Sequence, residues 1–164
     1  MAKKPTVLSL LQKIVTLLEG NTSTVVIPVK PRVINDRFTD NGDGTITDNE
    51  NKTLIIKDPS AIPGFDKTMT FEEAARDCKG LSYAGYNDWR MPTLKEEQSI
   101  RDYTKHDPVW DKKVFGGKHD DWYWTSTPCA WNKDAAWCVT SDYGDVGYDG
   151  KGDRYYVRPV RSSQ

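Results

Sequence analysis

Near the start of the chain the apolar residues Val7, Leu8, Leu11, Ile14, Val15 and Leu18 recur at helical spacing, and Gly20 supplies a stop. Positions 7, 11, 14 and 18 step by four, three and four, like the seam of a short oligomerising helix. A helix of this length is marginal alone, so its stripe must be buried on its own domain, on a second copy or in a larger assembly. Residues 24–29 are β-branched and weakly alternating, and Pro28 and Pro31 confine them to an edge strand or an extended linker. In residues 37–48 two strand-like runs flank Asn41-Gly42 and Asp43-Gly44, the pattern of a β-hairpin.

Two helices follow with matching start signals. Thr70-Phe71-Glu72-Glu73 and Thr93-Leu94-Lys95-Glu96 are capping boxes, in which Thr accepts from the third helical amide and Glu reaches back to the cap. The first predicts a helix to about Lys79 closed by Gly80, the second a helix to about Tyr103. Between them, residues 83–92 form a turn-rich connection anchored by Trp89, and Pro92 restricts entry into the second helix. Beyond Asp120 the strand candidates are 122–126, 136–140 and 155–161. Strands, two helices and then more strands predict an α+β domain with segregated elements.

Composition narrows the function classes. The chain has 164 residues, enough for one domain and an extension, and its six Trp and eight Tyr exclude a disordered polymer. The mean hydropathy is −0.71. A net charge of −1 leaves no global basic footprint for nucleic acid and no charge-driven membrane binding. The run 7–18 is interrupted by Gln12 and Lys13, is too short to span a bilayer and lacks a small-residue cleavage site. It reads as a retained segment of a protein made in the cytoplasm without a signal peptide.

Candidate chemistry is sparse. Cys78, Cys129 and Cys138 are odd in number and form no C-x-x-C pair, so reduced thiols are expected and a zinc site is not. A Cys129–Cys138 bridge stays open for an extracellular protein. His106 and His119 lie in no catalytic motif, and His119 beside Asp120 and Asp121 is a common arrangement on solvated loops. The 37–48 stretch superficially resembles a calcium loop but lacks the alternating acids and the Glu at the twelfth position. No nucleophile elbow, phosphate loop or dinucleotide fingerprint is present. The expectation is a non-enzymatic protein with no cofactor and no metal.

Residues 141–156 are built almost entirely from Asp, Gly and Tyr. This is close to the vocabulary of antibody paratopes, where Tyr gives contact area with little rotamer entropy to lose. A glycine-rich turn between antiparallel strands is the structural alternative, and the two are compatible on an exposed loop.

The order of motifs carries a resemblance. Arg37-Phe38-Thr39-Asp40-Asn41-Gly42-Asp43-Gly44-Thr45-Ile46-Thr47-Asp48, Thr70-Phe71-Glu72-Glu73-Ala74, Gly85-Tyr86-Asn87-Asp88-Trp89-Arg90-Met91-Pro92-Thr93, Tyr123-Trp124-Thr125-Ser126-Thr127-Pro128 and Tyr155-Tyr156-Val157-Arg158 together resemble the DUF1566 domains, the C-terminal domains of Legionella collagen-like adhesins, over about residues 35–162. The resemblance implies a C-type-lectin-like fold used in adhesins and sometimes bound to glycans. It divides the chain into a helix and linker over 1–34, for oligomerisation or docking, and a ligand-binding domain over 35–164. Three departures stand out. Pro159 replaces a frequent Cys, leaving Cys78 without that partner; Ile56 stands where Trp is frequent; and the Glu-Pro-Asn triplet of calcium-dependent sugar binding is missing, with Trp131-Asn132-Lys133-Asp134 only faintly similar to its companion motif.

The same fold carries the variable proteins of diversity-generating retroelements, whose adenine-directed mutagenesis turns asparagine codons into Asp, Tyr, Gly, Ser, Cys, Thr, Ala or Arg, but never Trp or Lys. On that resemblance the ligand-contacting positions are Cys129, Ala130, Asn132, Asp134, Cys138, Thr140, Asp142, Tyr143, Asp145, Gly147, Tyr148, Asp149, Gly152, Asp153 and Arg154, with Trp131, Trp137 and Lys151 as scaffold. The implied function is a receptor- or ligand-binding protein displayed on a virion or cell surface, taking a protein or glycan ligand. A glycan-binding adhesin module of fixed specificity is the alternative. An enzyme on the formylglycine-generating fold is a further one, for which Cys129 and Cys138 are the only candidate reactive cysteines.

Overall fold

The computed structural model describes residues 30–118 and 121–163. The expected helix over 7–18, the segment 24–29 and the His119–Asp120 step lie outside the described residues.

The described residues form an α+β domain of two antiparallel sheets and two α-helices. The Asn-Gly and Asp-Gly steps turn β2 (Phe38–Asp40) into β3 (Thr45–Asp48), as their chemistry predicts. β4 (Thr53–Ile56) pairs with β3, β1 (Arg32–Val33) edges β2 directly after Pro31, and the last strand, β8 (Val160–Ser162), returns to pair with β4. The sheet order is β1-β2-β3-β4-β8. The second sheet, β5-β6-β7, comprises Trp122–Pro128, Ala135–Thr140 and Val146–Gly150.

Both capping boxes form. Thr70 starts α1 (Phe71–Gly80) and Thr93 starts α2 (Leu94–Ser99), each with reciprocal bonds to the Glu three residues on. α2 stops four residues before the expected Tyr103. Its continuation is taken by tertiary partners: the Arg101 side chain is buried, and the Asp102 amide donates to Val109 O at 2.6 Å. The predicted strand 155–161 is likewise broken. Tyr155 and Tyr156 make isolated bridges to Met69 and Tyr123, and regular pairing resumes only after Pro159, which has no amide to donate.

The core has two halves. One packs Ile56, Met69, Ala74, Cys78, Trp89, Trp124, Ala136, Cys138 and Val157 between α1 and the inner face of the second sheet. The other gathers Ile46, Ile100, Trp110, Val114, Phe115, Tyr123 and Val160. Arg158 ties the parts together, with Nη1 donating to the carbonyls of Ile56 and Lys57 and Nη2 to Gly116 O at 2.6 Å. The segment carrying Val109 and Trp110 covers the second sheet at its Tyr123–Val139 end. Among the described residues nothing covers the other end, where Trp131 and Tyr148 are exposed.

Candidate functional site: the outer face of the second sheet

The open face is built from alternation. In β6 the side chains of Ala136 and Cys138 enter the core, so Trp137 between them points outward, and its direct cross-strand partner is Tyr148 of β7. Trp131 arrives from the β5–β6 turn, which is held by the Asn132 amide donating to Cys129 O and the Ala135 amide to Asn132 O. The Asn132 side chain also accepts from the Asp134 amide.

These three rings meet edge to face. Trp131 lies 5.6 Å from Trp137 and 5.2 Å from Tyr148, both at 88°, and Trp137 lies 5.8 Å from Tyr148 at 76°. Such geometry is favourable for ring quadrupoles, and it fixes the cluster without burying it. Trp131 remains 64% exposed and Tyr148 50%, whereas Trp89, Trp110 and Trp124 are all buried. Lys151 braces the rim: its amide donates to Asp134 O, and its ammonium donates to Lys133 O at 2.7 Å while lying 5.1 Å from the Phe71 ring.

At the other end, the β6–β7 turn is closed by a reciprocal pair. The Thr140 amide donates to Asp145 O, and the Asp145 amide donates to Thr140 Oγ1 at 2.8 Å. Gly144 takes a φ of +78° and sits where a Cβ would meet Tyr103 at 2.9 Å, so glycine suits both its backbone and its space. Tyr143 is 62% exposed and its ring is parallel to that of His106 at 6.5 Å.

Below β7 the environment is polar and acidic. The Tyr155 hydroxyl donates to Asp149 Oδ2 at 2.6 Å and holds that carboxyl below its ordinary range, aided by the Gly150 amide. Asp153 moves the opposite way, because the neighbouring Asp149 carboxylate accepts a hydrogen bond from its protonated form and repels its charged form. Arg154 bridges to Glu73 at 2.9 Å and to Thr68 O at 3.0 Å, so it also clasps the loop to the start of α1.

Of the sequence-derived contact positions, Ala130, Asn132, Asp134, Tyr143, Asp145, Tyr148, Asp149, Gly152, Asp153 and Arg154 are exposed, and Asp142 and Gly147 are half-buried. Cys129, Cys138 and Thr140 require correction as contact residues. Cys129 is 3% exposed under the β5–β6 turn, Cys138 is 1% exposed in the core, and Thr140 is spent on closing the β6–β7 turn. The two cysteines are free thiols, so no bridge joins them. Sequence reasoning assigned Trp131 and Trp137 to the scaffold; Trp131 is exposed, Trp137 is half-buried, and the two pack together with Tyr148. Strand alternation across residues 136–140 was the signal that sets Trp137 and Cys138 on opposite faces. Among the described residues no group of His, Cys, Asp and Glu is gathered as a metal site, and no helix is long and apolar enough to cross a membrane.

No curated protein matches the sequence. The model of the Lcl C-terminal domain family matches residues 44–161, a span from the β2–β3 turn to β8 that includes the whole exposed face. The chain belongs to the Lcl C-terminal domain family.

Proposed function

We propose that this chain is a ligand-binding module of adhesin type, with a C-type-lectin-like fold, that presents the outer face of β5-β6-β7 to a protein or glycan on a target surface. The observation that carries the reading is the exposed Trp131–Trp137–Tyr148 cluster. Aromatic rings of this size are normally withdrawn from water, and an ordered, exposed group of them on a rigid sheet is the expected form of a binding hot spot. Family membership supports the adhesin reading and display at a surface.

The surrounding positions support diversification by a retroelement. Tyr148, Asn132, Asp134, Tyr143, Asp145 and Asp153 are exposed and lie within reach of adenine mutagenesis of asparagine codons, while the two central Trp residues do not. A fixed aromatic centre with a changeable rim follows. Fixed glycan specificity is the second reading, favoured by the same immutable Trp pair. Sequencing the flanking DNA for a near-copy template and a reverse transcriptase separates them; their absence overturns diversification and leaves the fixed binder.

The proposal assigns no catalytic role. Its support is that Cys129 and Cys138 are buried, and that burial, with Asp149 and Asp153 nearby, pushes the Cys138 thiol up to about 12, the opposite of an activated nucleophile. The binding reading is tested by a glycan-array and cell-binding screen of the purified chain beside Trp131→Ala and Tyr148→Ala. Signals that survive both substitutions undiminished overturn the assignment of the site.

A further inference from the structure

β7 is an edge strand, and its hydrogen-bond register shows which of its groups are free. The Thr140 amide bonds to Asp145 O and the Lys151 amide to Asp134 O, so bonded pairs bracket the β6–β7 ladder. Bonded and non-bonded pairs alternate in an antiparallel ladder. The registered pairs Cys138↔Gly147 and Ala136↔Asp149 are therefore bonded, while in Val139↔Val146, Trp137↔Tyr148 and Ala135↔Gly150 the β6 residue faces β5 and the β7 residue turns its amide and carbonyl outward.

At Gly150 the outward groups are already occupied. Its amide donates to Asp149 Oδ1, and its carbonyl accepts from the Asp153 amide at 2.9 Å. Val146 and Tyr148 have no such partners among the described residues, and both are exposed, at 39% and 50%. They leave two amides and two carbonyls at the spacing of a complementary strand. Apolar surface flanks this edge on both sides. Tyr148 and Val146 lie on the outer face, and the half-buried Trp122 ring lies beneath Gly147, where a Cβ would meet it at 2.9 Å. Acidic side chains outnumber basic ones here. Asp142, Asp145, Asp149 and Asp153 lie on or beside the strand, while Arg154 is paired with Glu73, and Lys133 and Lys151 sit together at the β5–β6 end, Lys151 donating to Lys133 O.

We propose that the open Val146–Tyr148 edge binds an extended, lysine- or arginine-bearing segment of a protein partner as an added β-strand. The inference rests on the reading of this face as the binding surface, and it names the partner's chemistry. Main-chain bonds to Val146 and Tyr148 supply affinity, and alternate side chains meet the outer aromatic cluster or the Trp122 side. Cationic side chains complement the aspartates, including the Asp149–Asp153 pair that repel one another.

The probe is acetyl-Lys-Val-Lys-Val-Lys-amide, titrated to millimolar concentration into the isotope-labelled full chain and followed by amide NMR. The largest shifts are expected at the Val146 and Tyr148 amides. Two N-methylated peptides, one methylated at the valines and one at the internal lysine, separate strand addition from side-chain adhesion. Only one set of alternate amides faces β7, so one peptide should lose about tenfold in affinity or more and the other should bind like the parent. Val146→Pro removes an outward amide without touching the bonded pairs, and should weaken the peptide similarly. No shift at these amides, equal binding by both methylated peptides, or equal binding by the glutamate analogue overturns the proposal. Loss of target-cell binding in Trp131→Ala but not in Val146→Pro overturns strand addition while leaving the surface reading intact.

Discussion

Glu97 is the most consequential single residue to perturb in the scaffold behind the site. Its side chain is 1% exposed and accepts one bond, from Arg101 Nη2 at 2.8 Å, while Arg101 itself is fully buried. The Arg101 guanidinium lies 5.0 Å from the Trp110 ring and 5.8 Å from Tyr123, and the Arg158 guanidinium lies 5.0 and 5.7 Å from the same rings. Two guanidinium groups thus share one aromatic box with one carboxylate, and Arg101 Nε and Nη1 have no partner among the described residues. Burial, together with Arg158, holds the Arg101 pKa below its ordinary value, against the pull of Glu97. Removing the carboxylate while keeping its shape, in Glu97→Gln, leaves both positive charges in the core without a counter-charge. Breaking a buried pair in this way costs about 3–5 kcal/mol. Replacing both partners, in Glu97→Leu with Arg101→Met, removes that pair and leaves only Arg158, which three carbonyls hold, so the double variant should be clearly more stable than Glu97→Gln. Urea unfolding followed by circular dichroism measures both, read as a change in midpoint at constant slope. A cost below about 1 kcal/mol for Glu97→Gln, or a double variant as unstable as the single, would refute the account of this core.

Trp131→Ala gives up two edge-to-face contacts of a mostly exposed ring, so thermal unfolding should register a loss of only about 1–2 kcal/mol. On any target identified by the cell screen, the same variant should lose about thirtyfold in affinity or more. Acid stability should respond at Asp48: its burial raises the pKa, but the Arg37 guanidinium and Asn51 outweigh that and hold it below 3.8. A depressed folded-state pKa contributes stability that is complete above the unfolded value and is lost as pH falls through the folded one. Urea midpoints should therefore drop below about pH 4, and Asp48→Asn should flatten that drop while lowering stability at neutral pH. Finally, all three thiols are buried, so a disulfide reagent at pH 8 should label none of Cys78, Cys129 and Cys138 in the native chain and every one after denaturation. Rapid native labelling of Cys138 would overturn its placement in the core.

What could be read from the sequence divides by the range of the interactions involved. The β2–β3 hairpin and both helix starts were legible because their causes lie within three or four residues: Asn-Gly and Asp-Gly steps, and Thr with Glu at the third position. The end of α2 was not, because Val109 and the aromatic box around Arg101 compete for Ile100–Asp102 from far along the chain. β7 is not legible as a strand because Val146-Gly147-Tyr148-Asp149-Gly150 has little strand propensity of its own. Its extended form is imposed by β6, and a ladder is worth more to such a segment than its intrinsic preference. The exposure of Trp131 is not legible for a different reason. Codon chemistry reports which residues can change, and carries no information on which side chains reach solvent.

That distinction has consequences for the proposed diversified surface. Several positions that mutagenesis can rewrite also maintain the geometry of the site: Thr140 closes the β6–β7 turn, Asp149 receives the Tyr155 hydroxyl, and Arg154 joins the loop to Glu73. Changing these costs hydrogen bonds of about 1 kcal/mol each, more where burial leaves a partner unsatisfied. Changing Ala130, Asn132, Asp134, Tyr143 or Asp145 alters side chains whose structural contacts are few, since the backbone around them is secured by main-chain bonds. Gly147 is constrained differently: any side chain there must displace the Trp122 ring. On the proposed reading, the freely variable set is therefore confined to the two turns that flank the Trp131–Trp137–Tyr148 cluster rather than spread over the full stretch of Asp, Gly and Tyr. A binding face arranged this way keeps one apolar anchor constant and changes the polar contacts that decide between partners. Constant affinity from the centre with adjustable discrimination from the rim is the division of labour that interface energetics favour.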